Sequence, residues 1–294
     1  MQTPDWIAVD WGTSNMRAWA MSASGSVLAE VRSDKGMGGL APDQFEPALR
    51  DATTDWNIEG IPIIACGMVG ARQGWIEAQY AAVPCPATPD GFTQPDSDLD
   101  VHIIAGLMQA APADVMRGEE TQIAGFLSMN KNWDGVICLP GTHTKWAHVS
   151  ANEVVSFQTY MTGDLFSAIE GHTVLRHSVQ SDDWDNAAFD AGVADAISRP
   201  ERIAARLFSL RAEGLVNNMP NDTARARLSG LLIGAELAGA KPYWLGQQIA
   251  VIGAGNLTSL YVRALALQSA PATQVKGDAI TLAGLTAAYR RLKG

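Results

Sequence analysis

The sequence predicts an α/β protein built from two domains that face each other across a ligand cleft. Residues 7–21 and residues 136–149 follow one pattern, which is an apolar strand, a Gly-Thr turn and a second strand, and a third apolar run follows each. Along the rest of the chain, helical periodicity alternates with short apolar runs of strand length. The 294 residues give room for two domains, each with its own core.

Residues 1–113 are predicted to form the N-terminal domain. A helix is expected over residues 44–56, where apolar residues recur at helical spacing after a Pro-Asp start. Residues 83–95 are rich in Pro, Asp and Gly and predict a loop. Short apolar runs predict strands at residues 6–11, 16–21, 27–32, 61–66 and 101–106.

Residues 114–294 are predicted to form the C-terminal domain, with the last helix able to pack back on the first domain. Most of residues 163–240 is expected to be helical. Strands are expected at residues 136–139 and 249–252, the second being the last clear strand of the chain. Further helices are predicted at residues 119–130, from the turn after residue 252 through residue 267, and at residues 278–292.

Composition excludes several classes of function. A formal charge of −10 disfavours nucleic acid and anionic membranes as partners, because both need a basic surface. The first residues lack the basic region of a signal peptide, and no apolar run approaches the length of a membrane span. The three cysteines have no CxxC spacing, which indicates neither a disulfide framework nor a zinc site. We therefore expect a soluble cytoplasmic protein.

The two Gly-Thr tips are typical of phosphate-binding turns. Glycine, hydroxyls and backbone N–H groups offer converging donors with no bulky side chain in the way. A cation follows each tip, Arg17 and Lys145, and could counter phosphate charge, although an isolated cation on a strand is more often solvated. The tip residues are Gly12, Thr13, Ser14 and Asn15 in the first hairpin and Gly141, Thr142, His143 and Thr144 in the second.

Asp10 ends the first strand just before its tip. A carboxylate there can hold Mg²⁺, directly or through water, beside phosphates bound at the tip. An aspartate next to a turn more often bonds its own backbone, but the matching second hairpin favours the functional interpretation. Asp10 is the candidate metal ligand, and only the first hairpin supplies such a carboxylate.

The segment Gly118-Glu119-Glu120 opens a predicted helix. Acidic residues in a first helical turn ordinarily complement the helix dipole. The alternative is that one carboxylate is the general base that takes a proton from a substrate hydroxyl, kept ionised by the helix N-terminus. Both interpretations stay open on the residues alone.

Two further segments are candidate binding elements. Gly253, Ala254, Gly255 and Asn256 follow a strand and precede a helix, but Thr258 stands where a dinucleotide fingerprint has its third glycine. A turn that lets a purine or ribose lie against backbone fits this segment better, and a tight connection without a ligand is as frequent. Arg72, Gln73 and Trp75 lie in a polar, aromatic loop that could bind a small polyol acid, with Arg72 on its carboxylate.

The order of these motifs resembles the actin, Hsp70 and sugar-kinase superfamily, in which they correspond to phosphate 1, the catalytic carboxylate, phosphate 2 and the adenosine motif. More closely, the whole chain resembles the 2-dehydro-3-deoxygalactonokinase family. Segments that carry this second resemblance are Gln73-Gly74-Trp75, Arg117 to Gln122, Leu139 to Trp146 and Met161 to Phe166.

The resemblance implies two ribonuclease-H-like (actin-like ATPase) domains facing across a nucleotide and substrate cleft. It implies ATP-dependent phosphorylation of 2-dehydro-3-deoxy-D-galactonate on its C6 hydroxyl, with Mg²⁺. Asp10 is carried over as the metal-side carboxylate and Glu119 as the base, with Glu120 as the alternative. The expected partners are the sugar acid and ATP, and the oligomeric state is left open, a homodimer included.

Other classes remain to be distinguished. A related sugar acid could be the substrate, and an exopolyphosphatase-like phosphohydrolase of the same fold would also carry a Gly-Glu-Glu segment. A nucleotide-sensing regulator usually has a helix-turn-helix ahead of the fold, whereas the first strand here begins near Trp6. A nicotinamide enzyme is disfavoured by the missing third glycine at Thr258.

Overall fold

A computed structural model describes residues 3–294. The strands are β1 (Trp6–Trp11), β2 (Met16–Met21), β3 (Val27–Ser33), β4 (Ile63–Gly67), β5 (Tyr80–Ala82), β6 (Cys85–Pro86), β7 (Phe92–Thr93), β8 (Val101–Ile104), β9 (Gly106–Ala110), β10 (Ala113–Met116), β11 (Gly135–Leu139), β12 (Thr144–Ser150), β13 (Glu153–Tyr160), β14 (Ile249–Gly253) and β15 (Ala272–Lys276). The α-helices are α1 (Phe45–Ala52), α2 (Glu119–Met129), α3 (Thr162–His172), α4 (Asn186–Ser198), α5 (Ile203–Val216), α6 (Asn221–Gly239), α7 (Lys241–Trp244), α8 (Gly255–Ala266) and α9 (Gly277–Lys293).

The chain divides into two compact units. Among the described residues, the first contains residues 3–134, 149–156 and 277–294, and the second contains residues 135–148 and 157–276. The sequence places a domain boundary at 113/114, whereas contacts place it at 134/135. The difference is α2, which packs extensively on α9, so that both helices belong to the first unit.

The central sheet of the first unit has the order β3-β2-β1-β4-β8-β7. β1 pairs antiparallel with β2 and parallel with β4, and β4 pairs parallel with β8. Alternate residues of β1 point to opposite faces, as a strand requires. Ile7 and Val9 enter the core packed against α1, while Trp6 and Ala8 enter the core covered by α9. Both faces of β1 are therefore buried. A smaller sheet, β10-β9-β5, belongs to the same unit.

The sheet of the second unit repeats this plan, with the order β15-β14-β11-β12-β13. β11 pairs parallel with β14, and β14 with β15, as β1 does with β4 and β4 with β8. The predicted duplication of a three-strand meander is confirmed. Residues 149–156, which include the turn between β12 and β13, belong to the first unit. In this segment, Glu153 and Val154 pair with β6.

Helices of the second unit pack on each other through glycines. A Cβ on Gly192 of α4 would lie 2.6 Å from the carbonyl oxygen of Arg227 on α6, and one on Gly230 would lie 2.2 Å from that of Phe189. Backbone can approach this closely only where no Cβ intervenes. The prediction that residues 163–240 are mostly helical is confirmed by α3, α4, α5 and α6.

Two predictions of secondary structure are wrong, and the bounds of a third element differ. Residues 249–252 are not the last strand, because β15 follows at the sheet edge, where its side chains are exposed or half-buried and give no apolar signal. The predicted loop at 83–95 contains the two-residue strands β6 and β7. The helix predicted over 44–56 is shorter, since a 3₁₀ turn precedes α1 at Phe45 and α1 ends at Ala52.

Candidate active site

Asp10 lies near the carboxyl end of β1, where backbone pairing brings β2 and β4 beside it. Its register partners are Arg17 on β2 and Cys66 on β4. Arg17 Nη2 donates a hydrogen bond to Asp10 Oδ2 at 2.7 Å, whereas Asp10 Oδ1 lies 3.9 Å from Cys66 Sγ. The Asp10 side chain is 23% exposed. The ion pair thus involves one carboxylate oxygen, Oδ2, and the other lies at long range from the thiol of Cys66.

Arg17 lies between two carboxylates. Its Nη1 donates to Asp278 Oδ1, at the start of α9, at 2.5 Å. Burial lowers the pKa of Arg17, but the hydrogen bonds to Asp10 and Asp278 outweigh it and raise this pKa above its ordinary value. Asp278, 261 positions away in sequence, therefore fixes the cation that the sequence places beside the first tip.

The first tip is a tight turn that rests on the segment around Gly36. Gly12 N donates to Asn15 O at 2.8 Å, and the tip residues Thr13, Ser14 and Asn15 are exposed. A Cβ on Gly36 would lie 2.2 Å from the carbonyl carbon of Ser14, so only glycine lets this segment support the tip. Thr13, Ser14 and Asn15 are therefore accessible to a ligand, whereas the N–H of Gly12 is bonded within the turn.

Gly118 brings the start of α2 to the end of β4. Its φ of +103° lies in the region that favours glycine, and a Cβ there would lie 3.3 Å from Gly67 Cα. Gly67 in turn adjoins Asp10, since its own Cβ would lie 3.6 Å from Asp10 Oδ1. The first turn of α2 is therefore part of the same neighbourhood as Asp10, although the two segments are far apart in sequence.

Glu119 and Glu120, adjacent in that turn, have different environments. Glu120 is 0% exposed and accepts hydrogen bonds from Gly118 N at 2.6 Å and Thr121 Oγ1 at 3.1 Å. Burial, together with the charge of Glu119, raises the pKa of Glu120 to about 8. Glu119 is half-buried, and its Oε2 accepts from Arg117 N at 3.1 Å. Residues adjacent on a helix point about 100° apart, so only one enters the core.

The residues around Asp10 fit a magnesium ion that is held by protein and phosphate together. Such an ion takes one or two carboxylates and completes its coordination with substrate phosphates and water. Asp10 is partly exposed and has one oxygen outside the ion pair. Within residues 3–294, no three His, Cys, Asp or Glu side chains cluster as a metal cage. The donor set therefore suits Mg²⁺ together with a phosphate ligand, rather than a site made by protein alone.

The loop predicted to bind a sugar acid lies after the 3₁₀ turn that follows β4. The Arg72 side chain is 81% exposed, and its Nε lies 3.9 Å from Glu77 Oε2. Gln73 is also exposed. Trp75 is half-buried and stacks on Phe45, with ring centroids 5.9 Å apart. Arg72 and Gln73 are therefore accessible to a ligand, whereas much of the Trp75 ring contributes to the core of the first unit.

The second tip is supported by α3. Asp164 N donates to Thr142 O at 2.9 Å, and a Cβ on Gly163 would lie 2.3 Å from Gly141 O. Thr142 and His143 are exposed, and His143 Nε2 lies 3.5 Å from Asp164 Oδ2. The accessible part of this tip is thus Gly141 to His143.

Thr144 and Lys145, predicted to bind phosphate, are both buried. Thr144 Oγ1 hydrogen-bonds to Tyr261 Oη at 2.9 Å. Their position follows from β12, which begins at Thr144 and is buried on both faces. The exposed part of the predicted phosphate-binding segment, residues 141–145, thus ends at His143.

Sequence reasoning missed Glu236, which is buried on α6 beneath the second tip. It accepts hydrogen bonds from Trp146 Nε1 and Tyr261 Oη, each at 2.7 Å, and from Thr162 Oγ1. Burial raises the pKa of Glu236 to about 7, although these hydrogen bonds lower it. The signal available in the sequence was one carboxylate inside the otherwise apolar run of residues 231–238.

A cavity of about 340 Å³ opens beside the second tip. Its walls are mostly apolar, with Phe166 and Trp184 among them, and polar groups come from Arg225 and Ser229. Gly141 and Thr142 of the tip also line it. An apolar cavity with a few polar groups is the usual form of a small-molecule site.

The predicted strand-turn-helix around Gly253 is confirmed as β14, a turn and α8. Gly253 lies against Thr258, because a Cβ placed on Gly253 would lie 2.6 Å from Thr258 Oγ1. Thr258, the residue at the expected third glycine, thus packs under the turn. Ala254, Gly255 and Asn256 are exposed, while the cavity wall is formed by α8 residues further along, Leu257 and Leu260.

The sequence model of the family described as 2-keto-3-deoxy-galactonokinase matches residues 10–288. The chain belongs to this family. It is 40% identical to the "Probable 2-dehydro-3-deoxygalactonokinase DgoK1" of Rhizobium meliloti (strain 1021), over 98% of this chain and 97% of the relative. It is 32% identical to the 2-dehydro-3-deoxygalactonokinase of Escherichia coli (strain K12), over 96% and 97% of the two chains. The predicted class of enzyme, a carbohydrate kinase, is confirmed.

Solved structures agree with this family assignment. A crystal structure from Sinorhizobium meliloti that carries the 2-dehydro-3-deoxygalactonokinase name superposes with a TM-score of 0.92 at 40% identity, over 98% of this chain and 99% of that one. Component A of the (R)-2-hydroxyglutaryl-CoA dehydratase of Acidaminococcus fermentans matches 98% of this chain and 99% of its own with a TM-score of 0.55 at 12% identity, which reflects the fold alone. The predicted two-domain actin-like fold is confirmed. Within residues 3–294, none of the helices is both long and apolar enough to cross a membrane.

Proposed function

We propose that this family member transfers the γ-phosphoryl group of ATP to the C6 hydroxyl of 2-dehydro-3-deoxy-D-galactonate. The products are ADP and 2-dehydro-3-deoxy-6-phosphogalactonate, in the breakdown of galactonate. The observation that carries this proposal is the match to the kinase family over residues 10–288, which includes Asp10, Glu119 and both glycine-rich tips.

Glu119 is proposed as the general base. Its carboxylate takes the proton of the C6 hydroxyl, whose oxygen forms a bond to the γ-phosphorus while the bond to the ADP oxygen breaks. Glu119 is half-buried, whereas Glu120 is fully buried and has a pKa near 8. A carboxyl that holds its proton at neutral pH cannot accept another, which supports Glu119 over Glu120.

Asp10 would hold Mg²⁺ through its partly exposed carboxylate. The ion, when bound, neutralises charge on the phosphate oxygens. The residues of the first tip, Gly12 to Asn15, would offer N–H and hydroxyl donors to phosphate, and Arg17 would keep Asp10 oriented through the 2.7 Å hydrogen bond. Arg72 and Gln73 are proposed to bind the carboxylate of the sugar acid. Trp75, which stacks on Phe45, is proposed to position the loop that carries them.

The nucleotide is proposed to use the second unit as well. Gly141, Thr142 and His143 would contact phosphate, and the adjacent cavity has the size and apolar walls for a nucleobase. Gly253, Ala254, Gly255 and Asn256 would lie along the ribose side. Thr144 and Lys145 are proposed to support this tip from within the core.

A coupled assay of ADP release tests the proposal. With 2-dehydro-3-deoxy-D-galactonate, ADP should form rapidly, and at least about tenfold faster than with the C4 epimer of this acid or with galactose. Mass spectrometry of the product should place the phosphate at C6. Equal rates with and without the sugar acid would indicate the alternative, a phosphohydrolase, and would overturn the kinase.

We also place the enzyme in the cytoplasm. Cys66, Cys85 and Cys138 all carry free thiols. A reducing compartment keeps thiols in this state. Fractionation of cells that produce the enzyme should recover its activity with the cytoplasmic proteins.

A further inference from the structure

We infer that Glu236 is a positioning residue for the nucleotide, one that fixes the second tip without touching the ligand. This inference rests on the proposed use of the second tip and its cavity by ATP. Glu236 is 3% exposed and lies on α6, an element that carries none of the sequence motifs.

One carboxylate joins three other elements of the second unit. Glu236 Oε1 accepts from Trp146 Nε1 on β12, and Oε2 accepts from Thr162 Oγ1 on α3 and Tyr261 Oη on α8. Thr144 Oγ1 extends the network through Tyr261. A buried polar network whose members are all hydrogen-bonded makes the segments that it joins rigid. The carboxylate therefore sets the relative positions of β12, α3 and α8.

The tip depends on two of these elements. β12 continues directly from the tip at Thr144. On the other side, the start of α3 contacts the tip through Gly163 and through the hydrogen bond from Asp164 N to Thr142 O. Thr162, the first residue of α3, is held by Glu236. A shift of Thr162 or Trp146 would move the backbone on both sides of Gly141 and Thr142.

The same residues form part of the cavity. Thr162, Gly163 and Tyr261 line it together with Gly141 and Thr142, whereas Glu236 and Trp146 do not. Glu236 thus lies behind the polar end of the cavity wall. A change at Glu236 or Trp146 can alter nucleotide binding only by moving these lining residues.

Matched tryptophan variants provide the test. Trp146→Phe removes one donor to Glu236, while Trp244→Phe removes an indole N–H that is also buried but bonds the backbone oxygen of Leu237 at 2.8 Å. Affinity for the non-hydrolysable analogue AMPPNP with Mg²⁺ is measured by calorimetry, and unfolding by urea. Both variants should lose stability, but only Trp146→Phe should weaken AMPPNP binding, by about tenfold.

Glu236 is varied in parallel. In Glu236→Gln the amide oxygen can accept from Trp146, and the amide nitrogen can donate to the hydroxyls of Thr162 and Tyr261, which can reverse. This variant should keep most of the nucleotide affinity, whereas Glu236→Leu should lose about tenfold or more. KM for the sugar acid should change far less than KM for ATP in each case.

The outcomes separate the two proposals. If the wild-type protein binds no AMPPNP, the proposed function fails and the inference fails with it. If the wild type binds, but Trp146→Phe and Trp244→Phe change the affinity equally, only the role of Glu236 is overturned. Should Glu236→Leu not fold, the tryptophan pair still decides.

Discussion

The first hairpin carries a carboxylate on the strand that enters its tip, whereas the second carries an apolar residue there. Counting back from the tip glycine, Asp10 corresponds to Leu139, which is buried in its sheet. The carboxylate of the second unit, Glu236, comes instead from α6 and lies behind the tip. The two units thus share one arrangement of strands, but the carboxylate of Asp10 is partly exposed whereas that of Glu236 is buried.

This difference indicates that the two carboxylates have different roles. A partly exposed carboxylate can meet a ligand, while a buried one that accepts three hydrogen bonds can only hold neighbouring elements in place. In the first unit, the glycines that adjoin the site, Gly67 and Gly118, bring chain segments toward Asp10. In the second unit, Gly163 brings α3 toward the tip itself. Chemistry is therefore expected to depend on the first unit and nucleotide affinity on the second.

The largest expected effect is that of Glu119→Gln. A positioned base contributes roughly 10²–10⁴-fold, so kcat should fall by about that factor while KM for ATP stays nearly constant. Glu120→Gln should reduce kcat much less, because the amide resembles the protonated carboxyl that Glu120 holds at neutral pH. Steady-state kinetics of both variants measure this. The reverse ranking would make Glu120 the base.

Asp10→Asn should lower kcat by on the order of 10²–10³-fold, because a neutral amide holds Mg²⁺ poorly. The matched control is Asp278→Asn, which removes the other carboxylate bound to Arg17 but leaves Asp10 unchanged. Kinetics at rising Mg²⁺ concentrations should show partial recovery of Asp10→Asn. If the two variants were equally impaired, the ion-pair network, and not a metal, would explain the effect of Asp10.

The second tip can be changed at one glycine. Gly163→Ala would place a Cβ 2.3 Å from Gly141 O, whereas a Cβ on Gly171 of the same helix would meet no atom of another segment within 4 Å. Gly163→Ala should raise KM for ATP by about tenfold or more, and Gly171→Ala should leave it unchanged. Unaltered ATP kinetics in Gly163→Ala would mean that nucleotide binding does not depend on this tip.

The smallest effects concern stability and pH. Burial raises the pKa of Glu236 from 4.5 to about 7 and that of Glu120, with the charge of Glu119, from 4.5 to about 8. Because the folded protein binds these protons more tightly than the unfolded chain, their stabilisation is complete below pH 4.5 and is lost as pH rises through 7 and 8. For Glu236 the loss is about 3 kcal/mol.

Urea unfolding at pH 5 and pH 8.5 measures this dependence. The free energy of unfolding of Glu236→Gln and of Glu120→Gln should fall less between these pH values than that of the wild-type protein. Asp5→Asn, a change at an exposed carboxylate on the surface of the first unit, serves as a control. A Glu236→Gln slope equal to the wild-type slope would show that this carboxyl titrates normally.

The sequence by itself determined the duplicated meander, the position of Asp10 before the first tip and the helix that opens at Glu119. These features are local, since strand alternation, turn glycines and helix starts are encoded within a few residues. The same reasoning failed at β15, an edge strand whose half-exposed residues carry little apolar pattern.

Only the tertiary structure decided which charges are buried and with what partners. Arg17 donates a hydrogen bond to Asp278, and Glu236 accepts hydrogen bonds from Trp146 and Thr162. Lys145 is buried in the core. Each of these contacts is made by the packing of segments that are distant in sequence. The sequence pattern allowed Glu119 or Glu120 to face the core, and packing selected Glu120. Burial and hydrogen bonding depend on these long-range neighbours, which no local pattern of residues specifies.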